Sequence, residues 1–142
     1  KAVAAANGVP VEFHPQIAGA ELAAHWEWAD AGLVSLSPLD SYECTVPSKL
    51  YSLMARRIPV LGVVAGEAAD IITGTAAGEV AAPGDTESVA AAMTRMRSRV
   101  EAGEEFGMNP PAGPNPRDWV IRHASAAAMG RTYERVLEQV VS

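Results

Sequence analysis

Cysteine is nearly missing from this sequence of 142 residues, in which Cys44 stands alone. A single cysteine excludes an internal disulfide, so we expect a reducing compartment and a cytoplasmic location. Aromatic residues are also few, at 6%, which disfavours an aromatic-rich β-sandwich. Alanine, in contrast, occurs 27 times. Such a supply of small side chains favours helices that pack closely on a sheet.

Long hydrophobic runs and excess positive charge are missing as well. The longest apolar stretch, residues 58–65, is far shorter than the roughly 20 residues that cross a bilayer, so we expect no transmembrane segment. The 11 Lys and Arg residues are outnumbered by 17 Asp and Glu, which gives a net charge of −6. Nucleic-acid binding needs clustered basic residues, so we do not expect nucleic acid as a partner.

Segments with strand patterns alternate along the chain with segments of helical periodicity. Four runs have the composition of strands: residues 9–14, 33–36, 58–64 and 80–82. Five segments are predicted helices: residues 19–29, 47–57, 66–72, 85–103 (with Asp85 as the cap) and 117–141, the last kinked at Gly130. Because helical crossovers join parallel strands, we predict an α/β fold, a Rossmann-like parallel sheet with helices on both faces.

The chain divides into three parts by composition. Residues 1–102 hold the partial Rossmann-like domain, and residues 103–116, with four prolines and three glycines, form an irregular loop. Residues 117–142 form a carboxy-terminal helix that packs on this domain or on a missing one. Lys1 leads directly into a short helical piece before Gly8, so we expect the chain to be part of a longer protein.

Ligands of an open parallel sheet bind beyond the carboxyl ends of its strands. Four loops occupy that place in the predicted fold: residues 14–17, 37–47, 65–67 and 82–85. Two of them lead into helices, at Pro47-Ser48-Lys49 and at Gly66-Glu67. Unpaired amides and the helix dipole favour an anion at such helix starts, and a diphosphate would fit the pair. The Ser48 hydroxyl and the Lys49 charge make the first start the better phosphate candidate.

Plainer roles exist for each of these residues. Lys49 on an exposed first turn is compatible with a solvated charge, Ser48 with a cap, and Glu67 with a partner of the helix dipole. His14 fits a structural imidazole. No histidine has Cys or paired acids at metal-ligand spacing, so neither a metal nor a cofactor is predicted. Cys44 lacks a partner histidine and fits a plain thiol better than a nucleophile.

Several short motifs, in this order, resemble a known family. The chain is similar to the carboxy-terminal, donor-binding domain of GT-B glycosyltransferases of the family 4 type, in the subgroup that carries a Pro-Ser-Lys motif. The similarity extends over about residues 9–102, and the final helix matches in position only. The motifs that carry it are residues 29–36, 47–51, 54–55, 58–61, 66–67, 77–78 and 83–85.

The resemblance implies a retaining hexosyltransferase that uses a nucleotide-diphosphate sugar and a saccharide or lipid-linked acceptor. Bacterial surface-polysaccharide or glycolipid synthesis in the cytoplasm, at the inner face of the membrane, would be its setting. An incomplete domain without the acceptor half would be inactive alone, so no catalytic residue is assigned. The implied contacts are Pro47, Ser48, Lys49, Gly66 and Glu67 for the diphosphate, Glu43 and Ser52 for sugar or ribose, and His14, Pro15 and Ile17 for the base.

The sequence departs from the family at two places. Glutamates that the family often holds around this helix fall at Cys44 and Ser52, and neither residue is acidic, although Glu43 is adjacent. Two alternatives stay open. A nucleotide-sugar epimerase of the same architecture would have only Glu43, Glu67 and His14 as acid and base. A non-catalytic α/β interaction module would need none of them.

Overall fold

The computed structural model describes residues 8, 10–111 and 113–141. The helical piece predicted before Gly8 lies outside these residues. The helices, strands and one 3-10 turn follow in this order: α1 (Gly19–Trp28), β1 (Gly32–Ser35), the 3-10 turn (Asp40–Tyr42), α2 (Ser48–Arg56), β2 (Val60–Val63), α3 (Gly66–Gly74), β3 (Gly78–Ala81), α4 (Thr86–Glu101), α5 (Pro116–His123) and α6 (Ala126–Val141).

The strands form a parallel sheet in the order β1-β2-β3. Val34 of β1 stands opposite Gly62 of β2, which in turn stands opposite Val80 of β3. All four residues of β2 are buried, as expected for the apolar, β-branched run at 58–64. The prediction of an α/β fold with a parallel sheet is confirmed.

Two hydrophobic cores cover the two faces of the sheet, so the prediction of helices on both faces is also confirmed. On one face, α2 packs against β1 and β2 and α3 packs against β2 and β3, with Leu50, Met54 and Ile72 fully buried, and α5 joins them through Trp119. On the other face α4 covers β2 and β3. As predicted, Asp85 caps α4, because its Oδ1 accepts hydrogen bonds of 3.0 Å from the amides of Glu87 and Ser88.

The strand predicted at residues 9–14 is wrong for the part that the structure describes. Residues 10–18 have no regular structure, and the Val11 and Phe13 side chains are exposed. In the described chain β1 pairs only with β2. Alternation of side chains is not enough for a strand, because its amides and carbonyls also need a neighbouring strand.

The single long helix predicted at 117–141 is also wrong, because it is two helices that meet at Ala124 and Ser125. The break is set by Ser125, whose hydroxyl donates to the Ile121 carbonyl (2.7 Å) and accepts from the Ala128 amide (3.1 Å). Gly130, the predicted kink, lies inside α6. Ala128 is buried, whereas residues 129–140 are exposed. Helix α6 therefore packs on the described domain through its first turn.

Candidate functional site

A cavity of about 230 Å³ lies at the carboxyl edge of the sheet. Its walls come from loops that follow all three strands: residues 36–43 after β1, Ala65 after β2 and Pro83 after β3. Three of the four loops that the sequence placed at this edge therefore meet in one cavity. Asp40, Tyr42 and Glu43 bring polar groups to its wall.

Helix α2 begins at this edge with an exposed first turn. Pro47 has extended backbone (φ −64°, ψ 135°) and caps the helix through its carbonyl, which accepts from the Leu50 amide at 2.9 Å. It thus stands one position before the helix and not, as predicted, at its first residue. Within the described chain the amides of Ser48 and Lys49 find no acceptor, and both side chains are exposed. This helix start has two amides to offer an anion.

Helix α3 begins at the same edge, but the chain itself covers part of its start. Gly66 has a left-handed backbone (φ +59°), and a β-carbon there would overlap the carbonyl of Glu43. That carbonyl accepts a hydrogen bond of 2.8 Å from the Glu67 amide. The loop after β1 therefore occupies one amide of α3. Of the two predicted anion-binding ends, α2 is the more open one.

Glu43 and Ser52, predicted at the donor sugar or ribose, have different surroundings. Glu43 lines the cavity. Ser52 is half-buried in the second turn of α2, where its hydroxyl donates to the Ser48 carbonyl at 3.3 Å. The Ser52 hydroxyl thus serves its own helix, and the roles of both residues at a sugar stay predictions.

His14, Pro15 and Ile17 lie in the irregular segment before α1. The His14 Nε2 atom is 3.3 Å from a carboxylate oxygen of Glu12, and its ring meets the His25 ring edge-on at 5.2 Å between centroids. His14 lines a shallow pocket beside α1, separate from the carboxyl-edge cavity. Base binding by the 14–17 loop stays a prediction.

Tyr51 belongs near this site, although the sequence patterns did not single it out as a ligand contact. It lies on α2 three residues after Ser48, and its ring stacks on Trp119 of α5 with centroids 6.1 Å apart and planes at 22°. Burial, and then the negative charge of Glu67, raise the pKa of the Tyr51 hydroxyl. That hydroxyl is therefore a hydrogen-bond donor at neutral pH. Its i, i+3 spacing from Ser48 was the available signal.

Comparisons with known protein families, curated proteins and solved structures found no match. In the described part of the chain, no three His, Cys, Asp or Glu side chains are grouped so that they could hold a metal ion. None of the helices in those residues has the length and apolar character needed to cross a bilayer.

Proposed function

We propose that this chain is the donor-binding part of a retaining glycosyltransferase. The enzyme would transfer a hexose from a nucleotide-diphosphate sugar to a saccharide or lipid-linked acceptor. The observation that carries the proposal is the carboxyl edge of the sheet, where α2 and α3 both begin and loops from all three strands enclose a cavity. Open parallel sheets bind nucleotides at this edge.

Two amides and one mobile charge would hold the donor diphosphate. The amides of Ser48 and Lys49 are open at the start of α2, and the Lys49 ammonium group is exposed beside them. As the bond between sugar and phosphate breaks, negative charge grows on the leaving diphosphate. Amides, helix dipole and Lys49 would stabilise that charge electrostatically, without a covalent intermediate on these residues. The Tyr51 hydroxyl adds a donor close to Glu67.

An acceptor-binding domain would complete the active site in this proposal. Helix α6 supports a further packing partner, because it carries an exposed apolar stripe consisting of Met129, Tyr133, Val136, Leu137 and Val140. The complete enzyme would work in bacterial surface-polysaccharide or glycolipid synthesis, in the cytoplasm at the inner face of the membrane.

The test uses the fact that Lys49 and Lys1 are the only lysines in the sequence. Lysines methylated with ¹³C give separate NMR signals, which are followed while UDP, GDP and their sugars are added. We expect the Lys49 signal to shift at micromolar to low millimolar ligand. Lys49→Ala should weaken binding about tenfold, which is the size of one charge-assisted hydrogen bond.

Arg131→Ala is the matched control, since it removes one positive charge from the exposed surface of α6. Its affinity for the nucleotide should equal that of the unchanged chain. Equal binding by Lys49→Ala would remove Lys49 from the proposal.

Dimerisation in sedimentation experiments with no response to any nucleotide would favour an interaction module. Formation of an epimer from the donor alone, in the complete protein, would favour an epimerase.

A further inference from the structure

A second cavity, of about 600 Å³, lies at the opposite, amino edge of the sheet. Its walls come from Arg57 and Pro59, between α2 and β2, from residues 104–108 and Pro110 of the irregular segment after α4, and from Asn115 and Pro116 at the start of α5. Small-molecule sites typically enclose about 300–1,000 Å³. The cavity therefore has the size of a ligand site, and it is distinct from the proposed donor site at the carboxyl edge.

Arg57 contributes a positive charge to the wall of this cavity, and its backbone has an unfavourable conformation. It ends α2 in the left-handed region (φ 59°, ψ 28°), and the next amide, of Ile58, donates to the Leu53 carbonyl at 3.0 Å. Helices that end in this way usually have glycine at that position, because a β-carbon is strained there. Arg57 is exposed and has no ion pair within the described chain. Ala76 shares this backbone conformation (φ 54°), so the unpaired charge is what distinguishes Arg57.

The wall of the cavity formed by residues 104–107 is held in place although it has no regular structure. The Arg99 guanidinium lies 4.1 Å above the centre of the Phe106 ring and pairs with Glu104 at 2.6 Å. Gly107 is buried, and a β-carbon there would overlap the ring of Pro116. These contacts hold residues 104–107 against α4 and α5, so the cavity does not need to be formed by a ligand.

Charges of both signs line the cavity beside apolar groups. Arg99 already balances Glu104, whereas the exposed Glu105 has no ion pair in the described part of the chain. A simple anion would be attracted by Arg57 but repelled by Glu105. A simple cation would be attracted by Glu105 but repelled by Arg57. Phe106 and Met108 supply apolar surface. A ligand with both charges and an apolar body complements Arg57, Glu105 and this apolar surface.

We infer that the amino-edge cavity binds a small zwitterion with an apolar body, of the chemical class of an amino acid with an aromatic or large aliphatic side chain. Arg57 binds its carboxylate, Glu105 binds its ammonium group, and Phe106 and Met108 contact the side chain. The inference does not depend on the proposed donor site, which lies at the other edge.

The test is an NMR titration of the chain with phenylalanine, 3-phenylpropionate and phenethylamine. Phenylalanine should shift the amide signals of Arg57, Gly107 and Met108, and each analogue, with one charge fewer, should bind about tenfold more weakly. Arg57→Gly should weaken phenylalanine binding about tenfold and leave phenethylamine binding no weaker. Glu105→Gln should weaken the binding of phenylalanine and phenethylamine but not that of 3-phenylpropionate.

Arg57→Gly separates binding from folding, because glycine suits the left-handed backbone and the melting temperature should rise by a few degrees. Ala76→Gly is the matched control. Ala76 ends α3 with the same geometry (φ 54°), carries no charge and does not line the cavity. Its binding of phenylalanine should be unchanged. The inference is overturned if no probe shifts these signals at about 10 mM, or if Arg57→Gly binds phenylalanine as tightly as the unchanged chain.

Discussion

The two edges of the sheet carry opposite ends of the same helices. At the carboxyl edge α2 and α3 begin and present amides, and at the amino edge they end and present carbonyls. Because the strands are parallel, all crossover helices run in the same direction, and their dipoles make the first edge positive and the second negative. Topology thus sets the backbone contribution to the charge of each edge, and at the amino edge the positive charge of Arg57 opposes that contribution.

The edges also differ in what holds their loops. At the carboxyl edge the Glu43 carbonyl sits against Gly66 in a contact between backbones. At the amino edge, ion pairs between side chains hold the loop after α4. Glu79 of β3 pairs with Arg95 at 2.7 Å and with Arg99 at 2.8 Å, and Arg99 also pairs with Glu104. A substitution at the backbone contact should therefore lower the free energy of unfolding by more than a substitution in an ion-pair network that is partly in contact with water.

Gly66→Ala should have the largest effect of the changes at the two edges. The new methyl group would strain the left-handed backbone and displace the Glu43 carbonyl, so we expect a loss of about 2–4 kcal/mol of unfolding free energy, measured by chemical denaturation. Gly74→Ala, at the other end of α3, is the control. A β-carbon there has no atom within 4 Å, so the free energy of unfolding should rise by about 0.5–1 kcal/mol. Equal effects of the two variants would contradict the difference between the edges.

Glu79→Gln should have an intermediate effect that depends on pH. Burial raises the pKa of the Glu79 carboxyl, but the hydrogen bonds and charges of Arg95 and Arg99 lower it by more, so its pKa in the folded protein lies below the ordinary value of 4.5. A carboxyl with a lowered pKa stabilises the fold above its unfolded pKa and ceases to do so as pH falls through the folded one. We expect a loss of about 1–2 kcal/mol at pH 7 that shrinks below about pH 4.5.

Glu101→Gln is the control for the Glu79 variant. Glu101 pairs with Arg97 four residues earlier on exposed α4 surface, so its loss should leave the free energy of unfolding at pH 7 nearly unchanged. Denaturation curves at pH 7 and pH 3 for both variants decide the matter. A difference between Glu79→Gln and the unchanged chain that grows on acidification would refute the role of the ion pairs.

Ala76→Gly should have the smallest effect and the opposite sign. Removing the β-carbon relieves the left-handed backbone at the end of α3, so we expect a gain of up to about 1 kcal/mol. Ala90→Gly, on the exposed surface inside α4, should instead cost about 1 kcal/mol because helix interiors disfavour glycine. Thermal melting measures both, and a loss of stability in Ala76→Gly would show that its backbone is not strained.

Local signals in the sequence predicted the sheet better than the candidate site. The apolar run at 58–64 and the cap at Asp85 were recognisable because burial on both faces and capping leave marks within a few residues. The contacts of Glu43 with Glu67, and of Tyr51 with Trp119, join distant segments and leave no local mark. The strand predicted from the alternation at residues 9–14 was wrong for the same reason, because a strand needs a neighbouring strand and the local pattern does not show one.

The sequence by itself determined that strands and helices alternate, that the apolar run at 58–64 forms a strand, and that helices start close to residues 47 and 66. Periodicity, composition and capping carry this information because they act over one or two turns of chain. Only the tertiary structure decided that the Glu43 carbonyl covers one helix start and leaves the other open, and that Arg57 and Glu105 line one cavity. Those outcomes depend on which distant backbones come within hydrogen-bond distance, and packing of the whole domain fixes that.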